Sequence, residues 1–247
     1  MALREEFERS GNWLFRWRSY LPVLLYGLVF AATRDTRYPR ASGALHEWWE
    51  ALCLAVALSG LAVRTLVVGY TPRGTSGRNT AAGQVAGSLN TIGMYSLMRH
   101  PLYVGNLLIW LGIAMRPRSW SLAVIVVLVF WLYYERIMFA EEEFLRRTFA
   151  EVFEGWAERT PAFFPRFGEW RRPSLSFSLR NVLKREYSAV FAIGVSFAAI
   201  DVAENFAVSR QIRLDPFDAT VFGLSALCYV ILLGLKRHTR LLDVPGR

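Results

Sequence analysis

The stretch WSLAVIVVLVFWLYY, residues 120–134, decides the fold class of this chain. It contains no charged side chain, and it opens an apolar run that continues to residue 140. Such a run matches the roughly 20 residues that an α-helix needs to cross a lipid bilayer. A soluble helical core is the alternative for shorter apolar runs, but it does not suit a stretch without any charge. The sequence therefore predicts an integral membrane protein.

Five further apolar runs accompany this stretch. The six predicted crossings are residues 20–33, 48–69, 101–115, 120–140, 187–208 and 217–235. The chain as a whole is 53% hydrophobic, and its mean hydropathy is +0.25. We therefore predict an all-α fold, namely a polytopic transmembrane helical bundle with about six crossings and a cytosolic amphipathic helix after the fourth.

The chain divides into three predicted segments. Residues 1–19 form an interfacial amphipathic anchor, because NWLFRWRSYL mixes aromatic and basic side chains suited to the headgroup level. Residues 20–168 form the membrane core, and residues 169–247 form a C-terminal transmembrane hairpin. No small-residue cleavage site follows the first apolar run, which argues against a signal peptide. Cys53 and Cys228 lie in apolar runs, and neither a disulfide nor a metal site is predicted.

Basic residues are distributed unevenly between the two sides of the predicted bundle. With six crossings, 21 of the 29 Lys and Arg residues fall on the side of the two termini, and 7 fall on the other side. The positive-inside rule places the richer side, with both termini, in the cytoplasm. This topology and attraction to anionic headgroups account for the net charge of +9. Nucleic-acid binding is not predicted, because no nucleic-acid module is visible.

The first candidate site is MRHPLYVGN, residues 98–106, which lies before the third crossing. Proline is favoured in the first turn of a helix, and the free N–H groups of that turn suit an anionic ligand. The alternative is an interface anchor, with a snorkelling arginine and a tyrosine in the aromatic belt. The candidate residues here are Arg99, His100, Pro101, Tyr103, Gly105 and Asn106.

The second candidate site is FAEEEFLRRTFAEVFEGWAERTPAFFP, residues 139–165, which has the periodicity of an amphipathic helix. A helical projection places Glu141 and Glu142 on the apolar side and Glu143 on the solvated side. Inward carboxylates suit a cationic ligand or two ribose hydroxyls. The alternative is that they interact with the helix dipole or pair with a nearby arginine.

Together, the two sites resemble the isoprenylcysteine carboxyl methyltransferase and phospholipid methyltransferase superfamily of integral membrane enzymes. The resemblance covers roughly residues 90–166. Phe153 and Trp156 replace two tyrosines of the family pattern, which keeps the rings and loses the hydroxyls. The second motif is matched at Arg136, Ile137, Glu141, Glu142, Leu145, Phe149, Arg159, Pro161 and Pro165.

The resemblance implies that the chain uses S-adenosylmethionine as its cofactor and belongs to a bacterial branch in the inner (cytoplasmic) membrane. It implies catalytic roles for Arg99 and His100. The implied cofactor-binding residues are His100, Pro101, Tyr103, Gly105, Asn106, Glu141 and Glu142. No G-x-G-x-x-G element is present, which fits a cofactor site built from helix ends.

The acceptor is expected to be an anionic oxygen, a phosphate or carboxylate, on a membrane lipid or lipidated substrate. An anionic oxygen needs no general base to attack a methyl group, and the sequence offers no base beyond His100 and the glutamates. The Gly- and Thr-rich loop 70–100 is the substrate candidate, and its alternative is a flexible solvated connection. The substrate-binding candidates are Arg64, Arg73, Arg78, Asn79, Asn90, Tyr95 and Arg159. The loop also resembles a branch that methylates lipid headgroups, including the lipid A phosphate.

Three features leave other interpretations open. Asp201, Glu204 and Asn205 share a face of the last hairpin and either have a function or pair with Arg210. A reductase that uses a nicotinamide cofactor is the nearest enzyme alternative, because it shares the RHPLY element. A non-enzymatic transporter or scaffold is the alternative from another class, although transporters often show internal repeats and this chain shows none.

Overall fold

A computed structural model describes residues 2–18, 20–33, 43–72, 75 and 86–247. Within these ranges the chain forms eight α-helices and no strand. The helices are α1 (Leu3–Trp17), α2 (Leu25–Thr33), α3 (Gly43–Tyr70), α4 (Met94–Leu97), α5 (Pro101–Met115), α6 (Trp120–Ala157), α7 (Leu179–Ser209) and α8 (Pro216–His238).

The prediction of an all-α membrane bundle is confirmed, with a smaller number of long helices. Four described helices, α3, α6, α7 and α8, are long and apolar enough to cross a membrane, and α5 is a shorter apolar helix. The first predicted crossing instead forms a 3-10 turn (Leu21–Leu24) followed by α2. The nine residues of α2 are about 14 Å long, less than half of the ~30 Å hydrocarbon core.

Helix α6 combines two elements that the sequence suggested separately. It runs for 38 residues, about 57 Å, so the predicted fourth crossing and the amphipathic helix after it form one element. The backbone leaves the helical region only at Ala150, where φ is +43° and ψ is −121°. The last turns of α6 change direction there, and the Trp156 indole N–H donates to the Tyr95 carbonyl at 3.0 Å.

Helices α3 and α5 pack closely because glycines occupy their contact. A Cβ at Gly105 would lie 2.8 Å from the carbonyl oxygen of Gly60, and one at Gly112 would lie 2.6 Å from that of Cys53. Membrane helices approach one another through such small residues, since burial from lipid gives little hydrophobic driving force. This contact aligns the cytosolic end of α3, as predicted by topology, with the RHP turn.

Helix α1 packs lengthwise on the polar half of α6. Gly11 lies against the Arg136 carbonyl oxygen, Phe15 is buried, and the Arg136 guanidinium donates to the Ser10 hydroxyl at 2.9 Å. The opposite face of α1 exposes Trp13, which suits the predicted interfacial anchor. The boundary at residue 19 stays a prediction, and the packing makes α1 a wall of the site described below.

Helices α7 and α8 form the C-terminal hairpin, which packs on α3. The Asn181 side-chain amide donates to the Val68 carbonyl at 2.8 Å, and Arg247 donates to the Gly69 carbonyl. These contacts join the hairpin to the C-terminal end of α3. The segment boundary at residue 169 stays a prediction.

Candidate active site

A cavity of about 550 Å³ opens where the start of α5 meets the middle of α6. Its walls also include the last turns of α3, the first turns of α7, the end of α1 and residues 86–90. Both motifs predicted from the sequence therefore contribute to one site.

The RHP turn is held in place by the segment that follows α6. The backbone N–H of Arg99 donates to the Pro161 carbonyl at 2.9 Å, and that of His100 donates to the Ala162 carbonyl at 3.1 Å. Pro101 occupies the first turn of α5, as predicted. The R-T-P tail of the second motif therefore serves to fix the first.

The Arg99 guanidinium joins this turn to both ends of the polar half of α6. Its Nε donates to Glu142 Oε1 at 2.8 Å, and its Nη1 donates to the carbonyls of Ala157 and Thr160 at 2.7 and 2.8 Å. These contacts occupy several of the five donors of the guanidinium. Arg99 is thus placed to orient Glu142, while the catalytic role implied by the resemblance stays a prediction.

His100 lies between the two predicted carboxylates. Its Nε2 is 2.8 Å from Glu142 Oε1, its Nδ1 is 3.6 Å from Glu141 Oε2, and its ring stacks on Tyr103. Burial lowers the pKa of His100, but the hydrogen bonds and charges of Glu141 and Glu142 outweigh that effect and raise the pKa above its ordinary value. The geometry therefore favours a protonated imidazolium.

The helical projection was right about two glutamates and wrong about the third. Glu141 and Glu142 line the cavity, each with 19% of the side chain exposed. Glu143, predicted to be solvated, is buried, and its carboxylate accepts from Arg4 at 2.6 Å and from Arg146. The reason is that α1 covers this face of α6, which the projection of one helix cannot show.

A second ion pair supports the cavity from α3 and α7. Arg64 donates through Nε and Nη2 to the two oxygens of Glu186 at 2.7 and 3.0 Å, and through Nη1 to Asn106 Oδ1 at 2.5 Å. The Asn106 amide in turn donates to the Tyr134 hydroxyl at 3.4 Å. Arg64 and Asn106 therefore both line the cavity, in contact with each other, and their binding roles stay predictions.

The remaining predicted residues divide into three groups. Pro101, Tyr103, Asn90 and Tyr95 line the cavity. Gly105 faces α3 rather than the cavity, and Arg159 is exposed outside it. The loop candidates Arg73, Arg78 and Asn79 lie outside the described residues.

Several residues near the site were not predicted from the sequence, among them four from the ends of the chain that flank the two motifs. Phe15 lies on α1 and Arg18 directly follows that helix, and the Arg18 guanidinium is 3.6 Å from Glu141 Oε1. Arg185 lines the cavity from α7, and its neighbour Glu186 binds Arg64. A charged pair at the start of an apolar helix was the available signal for Arg185 and Glu186, but it did not identify their partners.

The sequence pattern described as Phospholipid methyltransferase matches residues 51–152 of this chain. The chain belongs to the phospholipid methyltransferase family. This segment contains the RHP turn, the carboxylate pair and Arg64. Residues Arg18, Arg185 and Glu186 lie outside it, so the family segment receives part of its cavity wall from α1 and α7.

Two curated relatives show the same extent of similarity. The nickel-cobalt-cadmium resistance protein NccN of Alcaligenes xylosoxydans xylosoxydans is 34% identical over 160 residues, 64% of this chain and 67% of its own length. The cobalt-zinc-cadmium resistance protein CzcN of Cupriavidus metallidurans is 34% identical over 162 residues, 64% of this chain and 66% of its own length. The chain thus spans about two thirds of each relative. No solved structure matches the chain.

Proposed function

We propose that this family member is an enzyme that transfers a methyl group from S-adenosylmethionine to an anionic oxygen of a membrane lipid. The observation that carries the proposal is the cavity in which a buried imidazole lies between two inward carboxylates, with guanidinium groups around them. Its position beside apolar helices supports a lipid as the acceptor.

The cavity residues fit S-adenosylmethionine in size and chemistry. A volume of about 550 Å³ lies within the ~300–1,000 Å³ typical of small-molecule sites. Glu141 is suited to accept from an ammonium group or from ribose hydroxyls, and Arg18 beside it is suited to a carboxylate. Tyr103 and Trp156 offer aromatic faces for a base.

S-adenosylmethionine supplies a methyl group on a sulfonium, which an anionic oxygen can take as the C–S bond breaks and the sulfur keeps the bond pair. No proton has to leave the acceptor. This suits His100, because the carboxylates beside it raise its pKa and so favour the protonated form, which is a poor general base. The chain's contribution is to orient the two reactants and exclude water.

The charge of the cavity wall favours an anionic acceptor. Its described basic side chains outnumber its two carboxylates. They are Arg18, Arg64, Arg99, His100 and Arg185, facing Glu141 and Glu142. Arg99 is engaged with Glu142, and Arg64 uses three of its five N–H groups on Glu186 and Asn106, which leaves Arg64 with two further donors. We propose that Arg64 and Arg185 bind the acceptor anion, with Arg73, Arg78, Asn79, Asn90 and Tyr95 as further candidates from the loop.

The side of the membrane that the cavity faces is inferred from the distribution of charge rather than from the fold. The termini, the loop 70–100 and the polar half of α6 carry most of the basic residues, which supports a cytoplasmic location for them. We propose that the protein lies in a bacterial inner membrane with the cavity at the cytosolic face, where soluble S-adenosylmethionine has access.

The relatives' names add a physiological context. NccN and CzcN are named for resistance to divalent metals. Methylation of a phosphate monoester removes one of the two negative charges that the group can carry, and a less negative surface attracts fewer cations. We propose that this chain modifies its membrane in such a context, which the electrophoretic mobility of vesicles before and after methylation would test.

Calorimetric binding of S-adenosylhomocysteine and of NADPH to the purified protein in detergent tests the proposal. We expect S-adenosylhomocysteine to bind, and Glu141→Gln to abolish binding, because it removes the charged acceptor that lines the cavity. Glu151→Gln is the matched control, since Glu151 is exposed on the same helix. NADPH binding instead would favour a reductase, and binding of neither ligand to folded protein would favour a non-enzymatic role.

A further inference from the structure

Two features of the molecule lie outside the proposed methyl transfer. One is a buried ion-pair cluster, in which Arg116 lies 2.8 Å from Glu50 Oε1 and donates to Asp218 Oδ2 at 2.5 Å. Glu50 precedes Arg64 on α3 by 14 residues, about 21 Å, so this cluster is at the end of the bundle away from the cavity. The other feature is FFPRFGEWRR, residues 163–172, which we call the aromatic–arginine segment. The charges of the cluster contact one another, whereas the segment presents side chains outward and is open to a partner.

Hydrogen bonds to the residues before the RHP turn hold the backbone of the aromatic–arginine segment. The Arg166 N–H donates to the Leu97 carbonyl at 3.0 Å, and the Arg171 N–H donates to the Ser96 hydroxyl at 2.9 Å. The Arg171 carbonyl in turn accepts from the Gly93 N–H at 2.9 Å. The outward direction of its side chains is therefore a property of the fold.

The segment begins beside the membrane-spanning part of α6. Phe163 is buried, and its ring centroid is 5.2 Å from that of Trp131. Trp131 lies in the uncharged stretch 120–134, about 16 Å along the helix from Trp120. Glu135, the first charged residue of α6, follows one turn later. The chain thus folds back from the end of α6 to the apolar side of the polar boundary.

Three large aromatic side chains next to this contact are exposed. The exposed fractions are 75% for Phe164, 77% for Phe167 and 49% for Trp170. A contiguous apolar surface of this kind marks an interaction site. Aromatic rings are enriched where the hydrocarbon of a bilayer meets the headgroups. Since the segment lies beside a membrane-spanning helix, these rings are placed to enter that region.

Arginines alternate with the aromatic residues. Arg166, Arg171 and Arg172 are exposed, and Glu169 is the only acidic residue of the segment. Arg166 donates one N–H to the Arg159 carbonyl at 3.2 Å. Within the part of the chain that the structure describes, the guanidinium groups of Arg171 and Arg172 have no ion-pair partner. Such groups are suited to bind phosphate oxygens.

We propose that the aromatic–arginine segment binds anionic phospholipid. Phe164 and Phe167 insert among the acyl chains, and Arg171 and Arg172 bind the phosphates of the headgroups. The excess of arginine favours an anionic over a zwitterionic lipid. The contact of Phe163 with the membrane-spanning part of α6 favours a lipid over a soluble protein. The two residues before the segment hold the RHP turn, so this surface adjoins the cavity.

Native mass spectrometry of the delipidated full chain in detergent, titrated with phosphatidylglycerol or phosphatidylcholine, tests the role of the arginines. We expect wild type to prefer phosphatidylglycerol. The double variant Arg171→Gln/Arg172→Gln should bind it at least about tenfold more weakly, since each basic residue near an anionic surface contributes about fivefold. Arg237→Gln/Arg240→Gln is the matched control, because it removes two exposed arginines elsewhere and should bind as wild type does. No methyl donor is present, so the result is independent of the proposed function.

A nitroxide label on Phe167→Cys, in a chain that also carries Cys228→Ala, tests the depth of the segment in phosphatidylglycerol vesicles. We expect it to be more accessible to oxygen than to a water-soluble nickel chelate, and a label on Glu151→Cys to show the reverse. If Phe167→Cys does not fold, Phe164→Cys takes its place.

Two results would overturn the proposal. A segment label that is more accessible to the nickel chelate than to oxygen would place the aromatic rings in water and favour a protein partner for this surface. Equal binding of phosphatidylglycerol by the two double variants, each shown to be folded by circular dichroism, would exclude the arginines of the segment as headgroup ligands.

Discussion

The two ends of the bundle hold their charged groups in different ways. At the cavity, Arg99 and His100 are neighbours in sequence, and so are Glu141 and Glu142. The carboxylates of the two glutamates stay partly exposed to the cavity. At the other end, single charges from α3, α5 and α8 meet in full burial. The cavity end therefore has room for a ligand of molecular size, whereas the buried charges at the other end contact one another directly.

This difference predicts where a single substitution costs folding and where it costs binding. Breaking a fully buried pair leaves an uncompensated charge in a low dielectric, whereas a partly solvated pair loses less. Stability is expected to depend most on the Arg116 end, and ligand affinity most on the Glu141 end.

The largest effect is expected for Arg116→Ala. Its guanidinium is 1% exposed, and its loss leaves Glu50 and Asp218 without their cation. Removing one partner of a buried pair costs about 3–5 kcal/mol. Unfolding by SDS in mixed micelles, followed by circular dichroism, measures this loss. Arg210→Ala is the control on an exposed arginine, and a loss no greater than in that control would show that Arg116 does not hold this end together.

A smaller loss of stability, together with a loss of ligand affinity, is expected for Gly105→Ala. The new Cβ would lie 2.8 Å from the Gly60 carbonyl oxygen and 2.6 Å from Arg64 Cγ. Overpacking of this kind costs about 1–3 kcal/mol. Affinity for S-adenosylhomocysteine should also fall, because Arg64 must shift.

Gly223→Ala is the matched control for this substitution, because no atom lies within 4 Å of a Cβ built there. Equal stability of the two variants, measured by the same unfolding experiment, would mean that the close α3–α5 contact does not limit packing.

A pH-dependent effect is expected at the cavity end. Because its folded-state pKa is raised, His100 stabilises the fold fully at pH values below its unfolded pKa of about 6.5. That contribution is lost as the pH rises through the higher, folded-state pKa. A tenfold difference in proton affinity between the folded and unfolded states is worth about 1.4 kcal/mol.

The stability difference between wild type and His100→Asn, measured from pH 5.5 to pH 9, should therefore shrink as the pH rises. A difference that stays constant over this range would mean that the imidazole does not gain a proton on folding, and His100 would again be a candidate general base.

The smallest effect is expected for Glu143→Gln. Its partners Arg4 and Arg146 are 64% and 41% exposed, so solvent screening limits the loss to about 1 kcal/mol. Calorimetry should give an affinity for S-adenosylhomocysteine within about threefold of wild type, equivalent to under 1 kcal/mol. Loss of binding as in Glu141→Gln would show that α1 positions the cofactor site through Glu143.

The membrane class and most of the cavity could be predicted because their signals are local. Uncharged runs indicate long helices, and a helical projection places Glu141 and Glu142 together. Hydropathy predicts a crossing at the short α2 because it does not show that the helix begins only at Leu25. The resemblance implies that Gly105 binds the cofactor, whereas in the structure Gly105 packs against Gly60 of α3, a contact that the sequence of α5 alone does not show.

The rest depended on contacts between distant segments. The burial of Glu143 requires α1, and the ion pair of Arg64 requires Glu186 of α7, more than 100 residues away. The sequence suggests Arg210 as a partner of Asp201, which lies in an apolar helix. In the structure, Asp201 accepts hydrogen bonds from the Asn205 side chain and from the Asp215 backbone N–H. A single sequence does not encode such pairings as a visible pattern.

Methyl transfer to an anionic oxygen at the cavity can be tested by following the methyl group itself. Purified protein in vesicles of bacterial lipid is incubated with S-adenosylmethionine that carries a ¹³C methyl group, and the extracted lipid is analysed by mass spectrometry and ¹³C NMR. We expect a labelled methoxy group on a phosphate or carboxylate, formed by wild type and Glu151→Gln and absent with Glu141→Gln. A labelled N-methyl group, or no labelled lipid from protein that binds S-adenosylhomocysteine, would contradict transfer to an anionic oxygen.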